Sequence, residues 1–279
     1  MKNSPPGEIH FFHIPKTAGT SLSSLIRNAY PSGECIPAHT ILELTAMAPA
    51  KVPAYRCYTG HFFSLLEPLA GRALPTVTVL RDPFEQTVSL IRHCQRIDRI
   101  GGVIVPLCAR GLEQAWKHFP LVRRTIEQRW TPVVMNNFQT RVLGSDILHP
   151  GRLKSDYYGI TYPFLEPGFS SPDADMDELF EKAKARLDKM AVVGTVERLH
   201  ETVSLIFEVI GAPVPQHIPR LNSGAMPVRT HRQAGNTSAE LASLIDRENI
   251  YDRALYQYAS SLLERKLTHR LQNQPPTVP

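Results

Sequence analysis

Residues 13–21, HIPKTAGTS, set one lysine, one glycine and three hydroxyl side chains between an apolar run and a helical pattern. Backbone N–H groups in the first turn of a helix have no intrahelical acceptor and carry partial positive charge. A strand-to-helix turn of this composition therefore suits a phosphate or sulfate. Lys16 adds a full cation, and Thr17, Thr20 and Ser21 add hydroxyl donors. The order differs from the nucleotide-binding pattern G-x-x-x-x-G-K-[ST], because Lys16 precedes Gly19. The competing reading is an N-cap cluster with an exposed lysine.

A second junction of the same kind follows TVTVL, residues 76–80, a β-branched strand bounded by Pro75 and by Asp82-Pro83. Asp82, Pro83 and Glu85 are spaced as N-cap, N1 and N3 of a helix that carries Phe84, Val88, Ile91 and Gln95. Taken with VLRDPFEQTVSLIRH at 79–93, HIPKTAGTS resembles the sulfotransferases that use 3′-phosphoadenosine 5′-phosphosulfate (PAPS). The similar branch contains heparan sulfate 2-O-sulfotransferase and many bacterial carbohydrate sulfotransferases. There H-I-P-K-T-[AG]-G-T-S is the 5′-phosphosulfate loop and L-R-D-P-x-x-R-x-x-S the 3′-phosphate segment. Arg81, Asp82, Pro83 and Ser89 match the second string, while Gln86 stands where the family usually has arginine. TGHFF at 59–63, NNFQTRVLG at 136–144, VVGTVERLHETVSLI at 192–206 and DRALYQYA at 252–259 look like further family blocks, so the resemblance covers most of the chain.

The resemblance implies a catalytic cation at Lys16 and a 5′-phosphate loop made by Lys16, Thr17, Ala18, Gly19, Thr20 and Ser21. It implies a 3′-phosphate site at Arg81 and Ser89 and a catalytic base at His61; His13, by its place, faces either the sheet core or the loop and reads as a loop-supporting residue rather than a second base. Sulfuryl transfer asks for a cation at the leaving oxygen more than for a metal clamp, so no metal is expected. An imidazole suits the deprotonation of an acceptor hydroxyl. Asn136, Gln139 and Arg141 form a block that binds the acceptor or braces the loop, with a solvated polar helix face as the bland alternative. Asn222 and Ser223 match a family position near the nucleotide, and Arg220 and Arg229 are cationic candidates for an anionic acceptor or the 3′-phosphate.

The elements that must position these residues alternate short apolar runs with helical patterns, as an α/β fold with a mainly parallel sheet does. Strands are expected at 9–14, 55–59, 76–80 and 190–195, with Leu22, Leu25 and Ile26 marking the helix after the first. Leu199, Val203, Ile206 and Ile210 mark a helix ending at Gly211, and Met176, Leu179, Phe180, Ala183 and Leu187 mark another. Thr237 and Glu240 are spaced as a capping box for a helical run to about Leu271. Residues 146–175 show no period and read as a functional loop. The expected organisation is a tail at 1–8, a single domain at 9–271 flanked by helices on the P-loop-kinase-like sulfotransferase pattern, and a disordered tail at 272–279.

Lysine and arginine exceed aspartate and glutamate, 31 to 26, a mild basic balance that favours anionic ligands and carries no nucleic-acid motif. Cys35, Cys57, Cys94 and Cys108 lack zinc or disulfide-framework spacing and read as reduced thiols. No leader pattern or apolar run of about 18 residues is evident, so a soluble cytoplasmic protein is expected. The function implied is sulfuryl transfer from PAPS to a hydroxyl of a carbohydrate or other small polyhydroxylated acceptor. A P-loop-like kinase with Asp82 on magnesium, and a nucleotide-binding relative without turnover, remain open at this point.

Overall fold

The computed structural model of the chain describes residues 5–90, 136–146, 174–219, 221 and 239–273. Four strands, β1 (Ile9–Phe12), β2 (Cys57–Gly60), β3 (Thr76–Leu80) and β4 (Val192–Thr195), form one sheet in the order β2-β1-β3-β4. Every neighbouring pair is parallel, with Phe12 opposite Gly60 and Thr78, and Leu80 opposite Thr195. All residues of all four strands are buried, which is why IHFF and TVTVL are continuous runs without the alternation of a half-exposed sheet.

The described helices are α1 (Gly19–Asn28), α2 (Ile41–Ala46), α3 (Leu66–Ala70), α4 (described over 83–90), α5 (Phe138–Gly144), α6 (Met176–Asp188), α7 (Leu199–Ile210), α8 (Ala239–Glu248) and α9 (Ile250–Gln272). They cover both faces of the sheet. On one face Ile9, Phe11, Val77 and Val79 pack with Leu22 and Ile26 of α1 and Val203, Ile206 and Ile210 of α7. On the other, Phe12, Tyr58, Leu80 and Val193 pack with Val142 and Leu143 of α5, Ala183 and Leu187 of α6, and Leu255 and Ala259 of α9. Each fully buried side chain of this size stabilises the fold by about 1.5–3 kcal/mol, before the entropy of ordering it is counted. Among the described residues no helix is long and apolar enough to cross a membrane.

Four expectations need adjustment, one being the last strand, which begins at Val192 instead of residue 190 because Met190 closes the end of α6 by donating its N–H to the Leu187 carbonyl at 3.0 Å. The first strand stops at Phe12 instead of residue 14, because the carbonyls of His13 and Ile14 are drawn into side-chain hydrogen bonds with His61 and Thr17. The second begins at Cys57 instead of residue 55, since Tyr55 closes a 3-10 turn over Pro49–Ala54 by donating its N–H to the Val52 carbonyl at 3.4 Å. The long C-terminal helical run is broken at Asn249, whose side-chain oxygen accepts the N–H of Asn137 at 2.9 Å. Asp82 does cap α4, accepting the Glu85 N–H at 3.0 Å, and Gly211 ends α7 with a left-handed φ of 67°. Ile91, Gln95, Cys94, Cys108, Thr237 and nearly all of the 146–175 segment lie outside the described residues.

Candidate functional site

A parallel sheet puts the C-terminal ends of its strands along one edge. The connection from β1 leads to β2 on one side, and that from β3 leads to β4 on the other. The crevice between the ends of β1 and β3 is thus the point where the winding reverses, the usual place for a ligand in an open α/β sheet. Residues 13–18 follow β1, Arg81 follows β3, and His61 follows β2. Topology alone brings the three principal candidate segments to this edge.

The turn after β1 has an unusual backbone. Lys16 and Ala18 have φ of 68° and 62°, in the left-handed region that non-glycine residues avoid at a cost of about 1–2 kcal/mol each. Left-handed residues inside a turn build concavities in which successive N–H groups converge on an anion. Four consecutive carbonyls of this turn are held by side chains. His13 O is bonded by His61 Nδ1 at 2.9 Å, Ile14 O by the Thr17 hydroxyl at 2.8 Å, Pro15 O by Gln86 Nε2 at 3.3 Å and Lys16 O by Arg81 Nη1 at 3.3 Å. In a planar trans peptide the N–H lies opposite the C=O, so these bonds orient the N–H groups of Lys16 and Thr17 away from Gln86 and Arg81. Ala18 is the N-cap of α1 and supplies no side-chain cap, so the first turn of this ten-residue helix faces the same turn with its N–H groups. The Ser21 hydroxyl accepts the N–H of Leu221 at 3.0 Å, bringing that residue to the start of α1.

Gly19 has a steric task. A Cβ there would lie 1.7 Å from Nε2 of His13, so the imidazole rests directly on the glycine. The same ring stacks on His61, with centroids 4.0 Å apart, and on Phe11 at 5.2 Å. His61 is half-buried, and its Nδ1 faces the His13 carbonyl, which can only accept. Nδ1 therefore carries the proton and the Nε2 lone pair is available as a base. Burial is the main cause that lowers the His61 pKa to about 4, helped by the neighbouring charges of His39 and Lys16 and opposed by the bond to His13. Burial, then His61, then Lys16 hold His13 well below the ordinary imidazole value. Both rings are neutral at pH 7.

Arg81 joins the two sides of the crevice. Its guanidinium bonds the Lys16 carbonyl and pairs with Glu85 at 3.3 Å. Ser89, eight residues on, is half-buried on α4. Gln86 is fully buried; its Nε2 ties α4 to the turn at Pro15 O, and its Oε1 has no hydrogen-bond partner among the described residues. The Asp82 carboxylate is engaged as the cap of α4.

The block at 136–144 is no solvated polar face: α5 is buried over its whole length. Asn136 donates to Glu248, Arg141 returns to the carbonyl and side-chain oxygen of Asn136, and Gln139 bonds both main-chain groups of Arg81. These are the contacts of a brace. Arg220, Asn222, Ser223 and Arg229 lie outside the described residues. Sequence reasoning missed Glu85 as the ion-pair partner of Arg81, although its i,i+4 spacing was available, and missed the His13–Gly19 contact, for which no local signal exists.

Compared with known proteins, the chain matches no protein-family model and no curated protein.

Proposed function

We propose that the protein is a sulfotransferase of the P-loop-kinase-like fold that moves the sulfuryl group of PAPS to a hydroxyl of a carbohydrate or other small polyhydroxylated acceptor. The observation that carries this reading is the His61–His13 hydrogen bond of 2.9 Å at the edge of an anion-suited turn. It ties a neutral imidazole, in the tautomer of a base, to the turn that bears Lys16.

In this reading the N–H groups of the turn and of the first turn of α1, with the hydroxyls of Thr20 and Ser21, hold the 5′-phosphate end of the donor. Thr17 acts from below, by fixing the Ile14 carbonyl. Arg81 and Ser89 hold the 3′-phosphate. The acceptor oxygen forms the new bond to sulfur while the bond from sulfur to the bridging phosphate oxygen breaks. His61 Nε2 takes the hydroxyl proton, and Lys16 balances the negative charge left on that phosphate oxygen. The bound anionic donor raises the His61 pKa from its low resting value, which strengthens the base when it is needed. Acting so, the protein is soluble and cytoplasmic and works with a small-molecule or glycan acceptor without a metal.

The test is transfer of a labelled sulfuryl group from PAPS to a panel of carbohydrates and polyols. Lys16→Ala is expected to remove about 3–4 kcal/mol of transition-state stabilisation. His61→Ala is expected to cut the rate roughly 100-fold or more while leaving nucleotide affinity intact. Near-normal turnover in Lys16→Ala contradicts the reading, as does magnesium-dependent phosphoryl transfer from ATP.

A further inference from the structure

Resting on the donor reading above, we infer that Gln139, locked in place by Asp252, is a positioning residue that sets where the Arg81 guanidinium meets the 3′-phosphate. Arg81 is the first residue past β3, where the sheet pairing stops: the pairing with β1 ends at Thr78 and that with β4 at Leu80. The peptide groups of Arg81 therefore continue no strand ladder. Gln139 substitutes for the missing strand. Its Oε1 accepts the Arg81 N–H at 3.0 Å and its Nε2 donates to the Arg81 carbonyl at 2.9 Å, the same pair of bonds a neighbouring backbone would make. Glutamine is suited to this because one side chain offers an acceptor and a donor together. The side chain is fully buried, so water cannot replace it.

Gln139 itself has little freedom. Its own N–H and that of Thr140, at the start of α5, donate to the two oxygens of Asp252 at 3.0 and 2.7 Å. In return Asn137 Oδ1, at a left-handed φ of 50°, accepts the N–H groups of Tyr251 and Asp252 at 2.9 and 3.1 Å at the start of α9. The two helices thus cap each other, and buried Asp252 is the acceptor for α5. A line of direct contacts runs from Asp252 through Gln139 to the Arg81 main chain, and from the Arg81 side chain to Lys16 O. An arginine so long and flexible gains a defined origin when its backbone is clamped, and a bidentate phosphate contact depends on that origin.

A residue that merely supports the fold would lower stability or weaken all ligands alike. A positioning residue acts through Arg81 on one phosphate. The experiment is calorimetric titration of the full chain with 3′-phosphoadenosine 5′-phosphate and with adenosine 5′-phosphate, for wild type, Gln139→Leu, Arg81→Ala and the double variant. Gln139→Leu is expected to weaken the 3′-phosphorylated nucleotide about tenfold. It should leave the 5′-nucleotide unchanged and add nothing in the Arg81→Ala background. Gln139→Glu, which keeps the volume and the acceptor and loses the donor, is expected to act in the same direction.

Equal losses for both nucleotides, or additive losses in the double variant, overturn the inference while sparing the donor reading. A wild-type protein with no preference for the 3′-phosphorylated nucleotide overturns both. Amide exchange at Arg81 in the unsubstituted protein supplies a readout that needs no variant to fold. Protection that grows with the 3′-phosphorylated nucleotide and not with the 5′-nucleotide supports the inference; an unprotected amide overturns it.

Discussion

Gly19→Ala sets two physical effects against each other, and their sum has a definite sign. Helix propensity alone favours alanine over glycine in α1 by about 1 kcal/mol. Against it, the new Cβ would meet Nε2, Cδ2 and Cε1 of His13 at 1.7, 1.9 and 2.5 Å. Restoring ordinary contact at about 3.4 Å requires the ring to retreat by about 1.7 Å. Phe11 lies against the ring at 5.2 Å with an interplanar angle of 11°, and His61 lies at 4.0 Å, so the ring is hemmed by both neighbours. Overpacking of this kind costs about 1–3 kcal/mol and outweighs propensity where the neighbours cannot yield. With the ring hemmed in, the upper half of that range applies, and net of the propensity gain about 1–2 kcal/mol is lost, so we expect a melting temperature lower by about 2–8 °C, measured by calorimetry or near-UV circular dichroism. Adding His13→Ala removes the obstacle, so the double variant should be less destabilised than the sum of the singles by about 1 kcal/mol or more. A Gly19→Ala protein as stable as its parent, or strictly additive losses, would refute the claim that steric contact with His13 is what requires glycine here.

Three further outcomes are expected. Buried His10 has its pKa lowered to about 3 by burial. Its folded value lies below the unfolded 6.5, so the stability it confers is present above pH 6.5 and is lost as pH falls toward 3. His10→Phe should shrink the loss of urea stability between pH 7 and pH 4 by about 2–3 kcal/mol, and an unchanged pH dependence would contradict this. The Cys57 thiol is fully buried and its pKa is raised, first by its hydrogen bond to Cys35 and then by burial, whereas that same bond lowers the pKa of half-buried Cys35. Peptide mapping after iodoacetamide treatment at neutral pH should find Cys35 labelled at least about tenfold faster than Cys57, and equal rates would argue against the assignment. Glu85→Gln removes the carboxylate 3.3 Å from Arg81 and is expected to tighten binding of 3′-phosphoadenosine 5′-phosphate by about threefold at low salt, the gain shrinking as salt is added; no change would detach Glu85 from the site.

The parts of this fold that are legible in the sequence are those set by local rules. TVTVL is bounded by proline on both sides and is found as a strand over Thr76–Leu80 without adjustment. Asp82 and Glu85 announce a cap that the backbone makes at 3.0 Å, and Leu22, Leu25 and Ile26 announce the buried face of α1. The block NNFQTRVLG is the opposite case. Asparagine, glutamine and arginine look like a solvated face, yet they are buried because their partners are Glu248 at the end of α8, Asn249 at the helix break, the start of α9, and Arg81 just past β3, up to 115 residues away along the chain. No periodicity within the block can carry that information. The same holds for the break at Asn249 and for the stack of His13 on His61, which join residues 112 and 48 positions apart. The motif at 13–21 could be located from sequence, while the hydrogen bonds that hold its four carbonyls could not.

The central claim is the identity of the donor, and the most direct measurement is calorimetric titration of the purified protein with 3′-phosphoadenosine 5′-phosphate, with adenosine 5′-phosphate and with ATP plus magnesium. The account predicts selective, magnesium-independent binding of the 3′-phosphorylated nucleotide, weakened about tenfold or more by Arg81→Ala. Absence of that binding, or a preference for ATP with magnesium, would contradict it.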